Sequence, residues 1–142
     1  MLADGELQRA LFLRLSQDTQ LALLMGAPEA RIFDYVPENT PFPYIQYQLV
    51  QSVEDDTSTT HGFACSYQIH VWSQYEGTKE AHAIMERVYN LLHEQYDFDL
   101  QMYRLINQRY EFSELMRDPD GQTYHGVMRF KAVLDSIATE AP

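Results

Sequence analysis

Between Met116 and Asp135 the chain reads MRDPDGQTYHGVMRFKAVLD, and three carboxylates, a histidine and two glycines fall within it. Carboxylates beside a histidine can hold a divalent metal or pass a proton. A calcium loop of the EF-hand type needs oxygen ligands at alternate positions and a closing Glu, which this stretch lacks. Asp118, Pro119, Asp120 and Gly121 instead carry type I turn chemistry. Pro stands second, Gly stands fourth, and the Asp118 side chain can bond its own backbone. The flank alternates, with Tyr124, Met128, Phe130 and Ala132 on one side and His125, Val127, Arg129 and Lys131 on the other. The stretch reads as a hairpin tip.

A second set, Glu54, Asp55, Asp56 and His61, shares a Ser/Thr-rich loop. These groups could take a metal, but no helix or strand spacing fixes them, which favours a solvated or partner-facing loop. His70, His82, His93 and His125 lie on three elements without HExxH or HxH spacing, so no zinc site is expected. Cys65 and Ser66 sit mid-strand with no Gly-x-Ser-x-Gly elbow and no neighbouring base. No catalytic residue, metal or cofactor is expected.

The elements that would position these groups follow from periodicity. Residues 4 to 16 read as a helix, with Leu7, Ala10, Leu11 and Leu15 at helical spacing. A second short helix or turn covers 19 to 25, stopped by Gly26 and Pro28. Residues 31 to 36 suggest a short strand, and PENTPFP (37 to 43) a proline-fixed loop. Residues 43 to 51 alternate, Ile45, Tyr47 and Leu49 against Gln46 and Gln48. After a polar loop from 52 to 62, residues 63 to 75 alternate again. Phe63, Cys65, Tyr67, Ile69 and Val71 face one way; Ser66, Gln68, His70 and Trp72 face the other. Residues 78 to 95 form the clearest helix, which Thr78 can cap. Strands near 101 to 115 and 122 to 136 complete the order α-α-β-β-β-α-β-β. That order implies a single α+β domain, an antiparallel or mixed sheet of about five strands with helices on one face.

The 142 residues carry a net charge of −11 and no Lys/Arg cluster, which argues against tight nucleic-acid binding. No apolar run approaches the roughly 20 residues needed to span a bilayer. The first residues lack a basic n-region and a cleavage box, so no signal peptide is expected. One cysteine, Cys65, allows no disulfide within the chain and fits assembly in the cytosol.

The two paired strands contain no Asp, Glu, Lys or Arg in 22 residues, where a chain that is 22% charged would place about five. A solvated outer face recruits charge. This one offers Gln46, Gln48, Ser66, Gln68, His70 and Trp72. Either the chain covers that face itself or another subunit does, and the ten tyrosines lean towards an interface.

Several segments in order carry a resemblance: LLMGAPEARIFDYVPENTPFPYIQY, the loop EDDTSTTHG, His-Val-Trp-Ser at 70 to 73, a helix opening with Gly77, Glu80 and Ala81, Arg-Asp-Pro-Asp-Gly at 117 to 121, and HGVMRFKAVL. Across most of its length the chain resembles the tail-terminator, or tail-completion, proteins of long-tailed phages and gene transfer agents. Residues 96 to 103 depart from that pattern, being richer in tyrosine and acid. The resemblance implies a non-catalytic virion protein, assembled in the host cytoplasm. Copies would form a ring, taken as a hexamer, on the head-proximal end of the tail tube. Its partners would be other copies, the tail tube protein and head connector or stopper proteins. DNA would cross the bore without specific binding, and no membrane is involved. On this reading Gln46, Gln48, Gln68, His70 and Trp72, with loop residues Glu54, Asp55, Asp56 and His61, are the candidate contact residues. Glu54, Asp55 and Asp56 would keep DNA from sticking if they line the bore. The alternatives are another head-tail connector or adaptor, or a small cytosolic ligand-binding domain or enzyme.

Overall fold

A computed structural model describes residues 2–57 and 60–137. Ser58 and Thr59, within the polar loop read from the sequence, lie outside the described residues. The order is α1 (Asp4–Ser16), α2 (Thr19–Met25), β1 (Ile32–Phe33), β2 (Tyr44–Glu54), β3 (Gly62–Ser73), α3 (Lys79–Leu92), β4 (Tyr103–Arg117) and β5 (Tyr124–Ser136). The five strands form one mixed sheet in the order β1-β2-β3-β5-β4. β1 lies parallel to β2 and the other neighbours are antiparallel. The fold is α+β, as the element order implied.

Helical spacing explains α1, whose Leu7, Ala10, Leu11 and Leu15 are buried. In α3 the stripe Ala81, Ile84, Met85, Val88, Leu91 and Leu92 does the same. Strand alternation supplies the other half of the core. Ile45, Tyr47, Cys65, Tyr67, Ile69, Val71, Met128, Phe130, Ala132 and Leu134 join the helix leucines in one cluster. Burying a leucine or phenylalanine side chain stabilises by about 1.5–3 kcal/mol, so this cluster dominates the stability. All three helices therefore lie on one side of the sheet, and no helix among the described residues covers the other.

Several details of the elements differ from the sequence reading, and β4 and β5 each begin two residues later than expected. β1 is only two residues long, because Asp34 turns away; its carbonyl accepts from Gln46 Nε2 at 3.1 Å. β2 runs on to Glu54, since Ser52, Val53 and Glu54 continue to pair with Cys65, Ala64 and Phe63 after a bulge at Val50. The loop is shorter accordingly. Thr78 makes no side-chain cap; Ser73 Oγ donates to Glu80 Oε1 at 2.7 Å and accepts from Tyr75 N at 3.2 Å instead. α3 stops at Leu92 rather than Gln95. There the chain turns onto the edge of β4, where Glu94 N donates to Gln108 O at 2.9 Å and Tyr110 N donates to His93 Nδ1 at 3.0 Å.

Candidate assembly surface

The open side of the sheet is built in rows, because side chains two apart along each strand share a face. The row Tyr44–Trp72–His125–Met116 lies nearest the 118–121 turn. Next come Gln46–His70–Val127–Glu114 and Gln48–Gln68–Arg129–Phe112. Gln51–Ser66–Lys131–Arg109 and Val53–Ala64–Val133–Asn107 follow towards the 55–61 loop. Five of the candidates named from the sequence, Gln46, Gln48, Gln68, His70 and Trp72, are thus adjacent.

Trp72 is stacked on His125 with ring centroids 3.7 Å apart and 8° between planes, and on Tyr44 at 6.4 Å. Phe42 extends the strip, 5.2 Å from Tyr44. His70 Nδ1 stands 2.8 Å from His125 Nε2, and its Nε2 stands 3.1 Å from Gln68 Oε1. With Gln68 accepting from Nε2–H, a neutral His70 offers a bare Nδ1 to the His125 N–H. Burial, with the neighbouring imidazole as a second cause, holds His70 below its ordinary pKa. Burial lowers His125 too, and the nearby Asp118 carboxylate opposes that shift. The Trp72 indole Nε1 is enclosed and has no partner among the described residues, an exception to the rule that such groups are bonded. His125 and Tyr44 were not among the sequence candidates. The signal for His125 was its outward position in an alternating strand; what the sequence lacked was the register that sets it beside His70.

The four acidic-loop candidates separate. Glu54 ends β2, exposed and paired with Phe63. Asp56 Oδ1 accepts from Gly62 N at 3.0 Å, and its Oδ2 lies 3.4 Å from His61 Nδ1. Asp55 continues the ladder through its N–H to Gly62 O at 2.9 Å. No group of three or more metal-ligating side chains occurs among the described residues.

Charge divides this surface in two. β2 and β3 carry Glu54 alone, whereas β5 and β4 carry five basic residues, Arg104, Arg109, Arg117, Arg129 and Lys131, and three acidic ones, Glu111, Glu114 and Asp135. Arg129 pairs with Glu111 at 3.2 Å and Arg109 with Glu94 at 3.0 Å. Lys131 is exposed and has no ion-pair partner among the described residues. The neutral surface expected from the sequence is therefore one half of the open side, bordered by a charged half of mixed sign.

At the tip, Asp118 O accepts from Gly121 N at 2.9 Å, and Gly121 takes φ +74, which glycine adopts without strain. The side chain that binds backbone is Asp120, which accepts from Gln122 N and Thr123 N at 2.8 and 2.9 Å. Asp118, to which the sequence reading gave this role, does not: its backbone N–H closes the loop on Thr123 O at 2.7 Å.

A chain from the virion of a native gene transfer agent particle superposes with a TM-score of 0.82 at 23% identity, covering 94% of this chain and 97% of that one. The gp17 protein of bacteriophage SPP1 superposes with a TM-score of 0.58 at 21% identity, covering 98% and 94%. Both share the fold. No curated protein sequence matches significantly. The family model for tail completion protein gp17 matches residues 9–135, from within α1 to the last but one residue of β5. The chain therefore belongs to the tail completion protein gp17 family, and its place is among the structural proteins of the virion tail.

Proposed function

We propose that copies of this chain close into a ring, taken as a hexamer, that caps the head-proximal end of a tail tube. The neutral half of the open sheet side, in a chain of net charge −11, is the observation that carries this reading. Half-buried His70, Gln68 and Trp72, with an indole N–H lacking a partner, suit a surface that another protein covers. A growing tube presents the same interface at each step, and a ring matching it on one side only ends growth. The opposite rim then receives the head connector or stopper. DNA passes through the bore, and acidic Glu54, Asp55 and Asp56 facing it would repel phosphate. The role needs no catalysis and no cofactor.

The test is the mass of the native species by sedimentation, its outline in micrographs, and the tails of a strain lacking the protein. A ring, with overlong headless tails in the deletion strain, supports the proposal. Tails of normal length beside full heads would assign it to head-tail joining instead. A single-copy mass at high concentration would count against the ring.

A further inference from the structure

Two strands of the sheet, β2 and β4, have runs left unpaired on their outer side. β1 covers β2 only at Ile45 and Gln46, so from Gln48 to Glu54 no strand lies on the outer side of β2 among the described residues. That run is uncharged as far as Val53, and it exposes Val50 by 43% and Val53 by 50%. Natural edges are blunted by charge, proline or a covering segment; this one has only the bulge at Val50. On the other side of the sheet, the post-α3 turn closes the β4 edge at Gln108 and Tyr110. Beyond the bulge at Glu111, no backbone partner among the described residues reaches the outer side of Phe112–Arg117.

We infer that the β2 edge of one copy pairs with the β4 edge of the next, so that the sheet continues from subunit to subunit. This deepens the ring reading and rests on it. β2, β3, β5 and β4 alternate in direction, so rotating a copy about an axis brings β2 beside β4 antiparallel. That contact joins two different patches, as a closed ring requires.

The register follows from the rows. Val53 lies level with Asn107, and Phe112 lies level with Gln48, two rows or four residues nearer the 118–121 turn. The unpaired runs therefore meet only if the neighbour is displaced along the strands. The displacement must be even, because an odd slip turns core-facing side chains outward. A slip of four residues sets Leu49 opposite Leu115, both half-buried beside the core on the helix side. It sets Val53 opposite Phe112, which is 44% exposed on the open side. Gln51 then faces Glu114, and Asp55 comes level with Arg109. Four residues of slip per four strands is about 13 Å along for about 19 Å across, a strand tilt of about 35°, within the range at which barrels close. Joining copies by their edges leaves both faces of the sheet uncovered by the neighbouring copy.

Paired cysteines in the full chain test the register. Gln51→Cys with Glu114→Cys should give, on oxidation, a ladder of linked copies up to the full ring. Gln51→Cys with Arg109→Cys, which would meet only without the slip, should give none. Val53→Lys should drop the native mass from ring to single copy with an unchanged Tm, since that side chain is half exposed. If the unaltered protein forms rings yet neither result appears, the edge contact is wrong and the ring stands. A ladder from the Arg109 pair alone would overturn the slip, and with it this contact. If the unaltered protein stays a single copy both alone and on tails, the ring reading falls and takes this inference with it.

Discussion

His70 and His125 meet across β3 and β5 with Nδ1 and Nε2 2.8 Å apart, and Trp72 lies flat against the second ring. Two neutral rings, each with one N–H, suit this pair; protonating both would place like charges in contact on a half-buried surface. Both pKa values are lowered, chiefly by burial. A histidine whose folded pKa lies below its unfolded value, about 6.5, contributes stability that is complete above that value. The contribution is lost as pH falls towards the folded pKa, because the unfolded chain takes up the proton first. Tm should fall between about pH 7 and pH 5, and His125→Phe should flatten the decline relative to the unaltered protein. Equal slopes for the two proteins would contradict the pairing.

Asp18 joins the helical layer together. It caps α2 by accepting from Leu21 N at 2.9 Å, and it takes two bonds from Arg87 of α3, at 2.9 and 2.6 Å. The Arg87 bond is the main cause that holds its carboxyl below the usual range, against burial. The stability it contributes is present above the unfolded value near 3.9 and is lost as pH falls through the lower folded value. Asp18→Ala removes cap and ion pair and should cost about 2 kcal/mol; Asp18→Asn keeps the cap and should cost about 1 kcal/mol. Urea unfolding of both variants distinguishes the two contributions.

Gln108 is fully buried in β4 and saturates its amide. It accepts from the Tyr67 hydroxyl and donates to Leu92 O at 3.0 Å and Gln95 O at 3.2 Å. Gln108→Leu would strand one buried hydroxyl and two carbonyls, at a cost of about 2–4 kcal/mol. Tyr67→Phe should cost less, and the double variant less than the sum of the two. Additive losses in a double-mutant cycle would refute the coupling.

Two glycines in the sheet should respond differently to alanine. A Cβ at Gly62 would stand 2.7 Å from Asp55 O and 2.8 Å from Leu134 O, both backbone. A Cβ at Gly126 would meet the Met85 side chain, Sδ at 2.6 Å, which can swing aside. Gly62→Ala should therefore lower stability by about 2–3 kcal/mol and Gly126→Ala by about 1 kcal/mol. Calorimetry that reverses this order would refute the packing argument.

The acidic end of β2 bears on the proposed bore. Reversing Glu54, Asp55 and Asp56 to lysine should alter infectivity or tail length, with any loss of Tm confined to the Asp56 contacts with Gly62 N and His61, since all three side chains are exposed. Wild-type tails and titre would remove these residues from the proposal.

Alternation and helical spacing are local properties, and the sequence alone determined what depends on them. These are the faces of α1 and α3, the buried side of β2 and β3, the turn at 118–121 and the missing charge on two strands. Boundaries set by long-range partners escaped it. β2 outlasts its expected end because Ala64 and Phe63 continue the ladder, and α3 stops early because Gln108 and Tyr110 offer backbone bonds to its last turn. The register of β3 against β5 likewise lay beyond a reading of either strand. Fifty-five residues separate His70 from His125, and no periodicity states that they touch. Only the folded sheet could set neutral strands beside charged ones, because the β3–α3–β4 connection carries the chain past the place that β5 fills.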